Sequence, residues 1–257
     1  MHIIQDVFNL INEIAPFNLQ EQWDNSGLLI GAMDDKVSNV LICLDVTDDV
    51  VNEAIDKKCE LIISHHPIIF TPLKSISSKS IYAKLIKNDI GVISAHTNYD
   101  IANGGINDVI VEKLNAQIIQ NYIEPMYDNS MGLGKIAKLD KEYSANELAQ
   151  KLKSIFGNTV IRYNETDKKI NTVAICSGSG GSLLPLVLSE KVDAFITGDV
   201  KHDQFIDAQR EGLIIFDAGH FHTENIALNS LMEKLSEKIT TIKFTVADNS
   251  RDILSYK

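Results

Sequence analysis

No apolar run in this chain approaches the roughly 20 residues that a membrane span needs. The start, Met1-His2-Ile3-Ile4-Gln5-Asp6, lacks the basic residues and long apolar stretch of a secretory signal. Cysteine is scarce: Cys43, Cys59 and Cys176 form no metal-type cluster, and three thiols cannot all pair. Buried free thiols in a reducing cytoplasm are the expectation. Basic side chains are outnumbered, 24 against 35 acidic ones, for a net charge of −11. That deficit disfavours non-specific binding to nucleic-acid backbones or anionic membranes. The rest is the composition of an ordinary globular protein. With 257 residues, one large domain or two smaller ones can form.

The apolar pattern alternates between strands and helices. Ile3, Ile4, Val7, Phe8, Leu10, Ile11 and Ile14 recur at helical spacing and predict a helix ending near Pro16. Strands are predicted at 28–31, 40–44, 61–64 and 91–95, with helices at 48–58, 80–88 and 106–115. Thr47 suits a helix cap, and Asp45 reads as a capping residue of that turn. The stretch 122–134 carries Pro125, Asp128, Asn129, Ser130 and two glycines, and predicts a boundary near residue 125. Ser144 and Glu147 form a capping box for a helix stopped by Gly157. Strands near 159–163, 172–176, 194–197 and 213–216 follow, with helices at 183–188, up to 211, and at about 222–237, before a last strand at 242–246. Alternating α/β is the class. We expect two α/β domains with mixed or parallel sheets flanked by helices: 1–125 and 126–257, the last helix and strand returning to the first.

Ser177-Gly178-Ser179-Gly180-Gly181-Ser182 is the one glycine-rich loop. It lacks the Gly-Lys-Ser/Thr ending of a P-loop and the spacing of a dinucleotide motif, so a tight turn outweighs a phosphate cradle.

Polar chemistry gathers where apolar runs stop. Leu61-Ile62-Ile63-Ser64 runs into His65-His66-Pro67, and Pro67 turns the chain out of the sheet. The next strand ends in His96-Thr97-Asn98-Tyr99-Asp100, and a later one in Asp217-Ala218-Gly219-His220, with Glu224 four residues on. Carboxyl ends of strands are where α/β sheets collect ligands. His220 and Glu224 share a helix face and can grip one cation. His65 and His66 diverge if extended, which suits two neighbouring metals. A carboxylate such as Asp100 can bridge the pair. Three imidazoles and two carboxylates, without thiolate, accept Zn²⁺, Mn²⁺, Fe²⁺, Co²⁺ or Ni²⁺. Two such ions about 3.5–4 Å apart generate a hydroxide nucleophile near neutral pH. His96 is a general base or a partner of the ligands. Asp199, Lys201 and His202 line a cleft or merely start a helix. His222 lies on another helix face, and His2 is an exposed terminal residue.

These motifs resemble the YbgI-like dinuclear-metal-centre family, the GTP cyclohydrolase I type 2 homologues. The resemblance is carried by Ser64-His65-His66-Pro67, His96-Thr97-Asn98-Tyr99-Asp100, Thr197-Gly198-Asp199-Val200-Lys201-His202 and Asp217-Ala218-Gly219-His220 with Glu224. It implies two divalent metals in a cleft between two α/β domains, ligated by His65, His66, Asp100, His220 and Glu224, and a toroidal homohexamer. It departs at Asp203, where many relatives carry histidine, and this chain has no room for the middle domain of longer members. The expected function is a cytoplasmic metal-dependent hydrolase of a small molecule or nucleotide, GTP entering only through the family label. The alternative is a non-catalytic metal-binding scaffold acting through its ring-shaped oligomer.

Overall fold

The computed structural model describes residues 2–126, 130–157, 159–165 and 167–255. Asp128 and Asn129, which the boundary reading used, lie outside them. The chain forms two compact units: residues 1–103 with 228–251, and residues 104–227 with 252–257.

The first unit is built on a five-stranded sheet, in the order Lys243–Val246, Asn39–Cys43, Leu61–Ser64, Gly91–Ser94, Gly27–Ile30. The first four strands run parallel, and Gly27–Ile30 is an antiparallel edge. Leu61, Ile62 and Ile63 are fully buried, as a central parallel strand requires. The helix Asp48–Asp56 starts at Thr47, whose side chain accepts from Val50 N. Thr47 is thus the cap that its place in the sequence predicts. Val50, Val51 and Ala54 of this helix pack with Leu41, Cys43 and Ile62 of the sheet. Burial raises the Cys43 thiol far above its ordinary value, so it is an inert core group.

The second unit has a six-stranded mixed sheet, ordered Arg162–Tyr163, Ile214–Asp217, Ala194–Thr197, Ile170–Ile175, Lys135–Tyr143, Gln117–Gln120. The middle three are parallel. Lys135–Tyr143 and Gln117–Gln120 join antiparallel. Neither of these two strands stands out in hydropathy. Lys135–Tyr143 interleaves four charged residues after Ala137 with Leu139, and its outer half faces water.

The chain passes from the first unit to the second at Asn103–Gly104, ahead of the boundary read near residue 125. The reason is that Gln117–Gln120 pairs with Lys135–Tyr143, so the helix Ile106–Lys113 before it belongs to the same unit. The helix expected at 222–237 is two, His220–Asn225 and Leu228–Lys238. Ala227 N–H donates to Glu224 O, tightening the last turn at the point where the chain leaves one unit for the other. Among the described residues, no helix is long and apolar enough to cross a membrane.

Candidate functional site

In the first unit, the strands Leu61–Ser64 and Gly91–Ser94 lie side by side, so the residues after them emerge together. The hydroxyls of Ser94 and Ser64 donate to the carbonyls of His65 and His66, at 2.7 and 2.8 Å, and hold the turn. His65 is buried and His66 half-buried. Their ring centroids are 5.1 Å apart, and His96 lies 5.1 Å from the first and 5.5 Å from the second. Ring nitrogens of His65, His66 and His96 fall within 4.8 Å of one another, a group that could hold a metal ion. The expected divergence of His65 and His66 is thus not what forms. The strand ends at Ser64, and strict alternation ends with it.

The ring orientations share a rule. Nδ1 of His65 donates to Ala95 O at 2.9 Å, Nδ1 of His66 to Asp45 Oδ1 at 2.7 Å, and Nδ1 of His96 to Asp24 Oδ1 at 2.7 Å. A carbonyl or carboxylate only accepts, so each Nδ1 carries a proton, and in the neutral ring Nε2 is the nitrogen left to accept or to ligate. This is the arrangement of metal-ligating imidazoles, whose second nitrogen is tied to a carboxylate or carbonyl. Asp100 is buried, and its Oδ2 lies 3.8 Å from His65 Nε2. The two atoms lie close enough to belong to one group that could hold a metal ion.

Asp24 is the hub of this half. It also accepts from Thr97 N and Oγ1, Asn25 N and Ser26 Oγ. Burial alone raises a carboxyl's pKa, but the bonds from His96 and Thr97 outweigh it and hold Asp24 well below the usual carboxylate range.

The second unit repeats the Nδ1 contact, with a carboxylate facing Nε2 as well. His220 Nδ1 donates to Asp199 Oδ2 at 2.8 Å, and its Nε2 is 3.1 Å from Glu224 Oε2. Asp199 has φ +53°, a conformation aspartate tolerates better than most residues, directly after Gly198. A Cβ on Gly198 would meet His220 N at 2.6 Å, so glycine lets the two loops touch. Glu224 is buried. It sits over Gly178, where a Cβ would fall 2.1 Å from Oε1 and 3.4 Å from His220 Nε2. The glycine-rich loop therefore makes room for this carboxylate. Two of its amides are already used: Gly178 N donates to Thr223 Oγ1 and Gly180 N to Thr197 Oγ1.

Asp217 is structural, accepting from Val200 N, Gly219 N and Arg162. Lys201, His202 and Asp203 are exposed at a helix start. His222 pairs with Asp252 at 3.2 Å. His2 is not merely terminal: Nε2 lies 2.7 Å from Thr241 Oγ1, and Ile3 pairs with Lys36. Sequence reasoning passed over Asp24 as part of a turn and Asp45 as a cap. The only available signal was a carboxylate beside a strand end or turn. Gly178 carried none beyond its loop.

The fold and these imidazole–carboxylate groups define a two-unit α/β protein with residues suited to a metal ion. The family model of Duf34/NIF3 (NGG1p interacting factor 3) matches residues 2–252, and the chain belongs to that family. It is 35% identical over 257 residues to the "GTP cyclohydrolase 1 type 2 homolog" of Clostridium perfringens, covering 97% of each chain. A solved Staphylococcus aureus hypothetical protein, SA1388, is 31% identical with TM-score 0.89, covering 99% of both chains. Protein ybgI shares the fold, at TM-score 0.85 and 23% identity, covering 96% of this chain and 98% of that one.

Proposed function

We propose that His65, His66, Asp100, His220 and Glu224 are the ligands of divalent ions, two per subunit, and that the protein is a metal-dependent hydrolase of a small molecule. The observation that carries this reading is the shared orientation of His65, His66 and His220. Each donates from Nδ1 to an oxygen acceptor, which fixes the ring and makes Nε2 the ligating nitrogen. Divalent ions supply Lewis acidity, making water acidic near neutral pH and polarising a carbonyl or phosphoryl oxygen.

The chain's own residues do the rest. Asp100 and Glu224, both buried, balance the positive charge where water cannot. Asp45 and Asp199 set the angle of the rings they bind. His96, fixed by Asp24, offers Nε2 to take a proton from the attacking water and return it to the leaving group. The curated name of the Clostridium perfringens relative puts GTP on the substrate panel. The family resemblance puts a hexamer among the assemblies to test by sedimentation.

The test loads purified protein with Mn²⁺ or Zn²⁺, measures bound metal per subunit, and screens GTP, phosphate esters and cyclic amides for turnover. Two ions per subunit are expected, fewer in His65→Ala and Glu224→Ala, with turnover lost in both. His96→Ala should keep its metal and lose turnover. Metal content unchanged by His65→Ala and Glu224→Ala would refute the centre. Full loading without turnover would favour a scaffold.

A further inference from the structure

Trp23 is the one tryptophan of the chain, and 58% of it is exposed. Phe70 is 50% exposed. Large aromatic side chains ordinarily supply buried contact area, so two held at the surface call for a physical reason. Their ring centroids are 5.9 Å apart, with planes inclined at 45°. Each also meets His96 edge-on, Trp23 at 5.9 Å and Phe70 at 6.4 Å.

Chain neighbours pin both rings. Asp24, next to Trp23, binds His96 and Thr97. Asn25 Nδ2 donates to Ile69 O, next to Phe70, at 2.6 Å. One short turn thus orients the imidazole and holds both aromatic rings beside it.

We propose that Trp23 and Phe70 form a stacking platform that seats a flat aromatic or heteroaromatic ring of the substrate beside His96. An aromatic ring is attracted to such faces whatever its substituents, and prefers offset-stacked or edge contacts. The inclined pair offers both at once. A subunit interface would need about 800 Å² from each partner, and it would have no use for a carboxylate that sets an imidazole's tautomer. The platform deepens the hydrolase reading. It rests on that reading for the reaction of a bound ring, not for the binding itself.

The lone tryptophan makes the native protein its own reporter. Acrylamide should quench its emission readily. Guanosine or a pterin should quench it saturably, with excitation at the red edge of the indole band, and ribose should not. Phe70→Leu should weaken that binding about tenfold, the usual size of a lost stacking partner, while Phe70→Tyr keeps it. By equilibrium dialysis, Trp23→Phe should bind and Trp23→Ala should not. Metal content should be unchanged in all four variants. A Trp23 that acrylamide cannot reach means another copy or segment covers the platform, and the proposal falls. It falls too if neither aromatic probe saturates, or if Phe70→Leu binds like the parent. Saturable quenching in a protein that takes up no divalent metal would sink the hydrolase reading and leave the platform. Metal uptake without quenching would do the reverse.

Discussion

A Cβ placed on Gly178 would lie 2.1 Å from Oε1 of Glu224, so the glycine and the carboxylate share one space. The backbone at Gly178 also has φ +62°. Gly178→Ala combines a clash with an unfavourable backbone, the latter alone costing about 1–2 kcal/mol. The clash falls on a candidate ligand, so metal affinity should drop more than stability. Urea unfolding and metal titration of the same variant check this. Parent-like metal affinity would show that Glu224 is not a ligand.

Asp199 touches no substrate in our reading, yet it fixes the ring of His220. Its carboxylate is more than half exposed, so removal should leave folding nearly unchanged. Asp199→Ala should weaken metal binding about 10–100-fold, the usual cost of losing a partner behind a ligand. Competition with a chromophoric chelator measures it. Asp45→Ala should behave likewise through His66.

Lys135 is fully buried, with Asp108 Oδ1 at 3.6 Å and Asn121 O at 3.3 Å from its ammonium. Burial pushes its pKa below the usual lysine value of 10.5, and Asp108 restores only part. Removing one partner of such a pair leaves an uncompensated charge, so Asp108→Ala should cost about 3–5 kcal/mol. Between its folded and unfolded pKa values Lys135 binds fewer protons in the native state, so this contribution raises stability as pH climbs toward the unfolded value. The deficit of Asp108→Ala should therefore shrink in alkaline buffer. Urea unfolding at neutral and alkaline pH decides it. A pH-independent deficit would mean the lysine charge is not its source.

Glu53 ties the end of the first unit's last strand to a helix. It accepts from Asp248 N, Asn249 N and Asn249 Nδ2 at 2.8–3.0 Å, and from Lys57 Nζ at 2.6 Å. Burial raises the carboxyl's pKa, but Lys57 and the two backbone N–H groups outweigh it, and the group sits below its ordinary value of 4.5. A depressed carboxyl stabilises fully above its unfolded pKa and loses that contribution as pH falls through the folded one. Glu53→Gln should cost about 1.5–3 kcal/mol at neutral pH, and the difference from the parent should narrow in acid. Unfolding curves at both conditions test this.

The residues themselves determined the class. Buried strands declare themselves as unbroken apolar runs, and their abrupt ends put His65, His66 and His96 after neighbouring strands, because parallel strands carry their carboxyl ends to one edge. The four-residue spacing of His220 and Glu224 is likewise local, and the two side chains meet. Lys135–Tyr143 escaped because its charged positions mask the period-two signal. Only the tertiary structure decided which carboxylate holds which ring. Asp24 lies 72 residues from His96 and Asp45 lies 21 from His66. No periodicity links such pairs, because the contact exists only once the strands that carry them have been laid side by side.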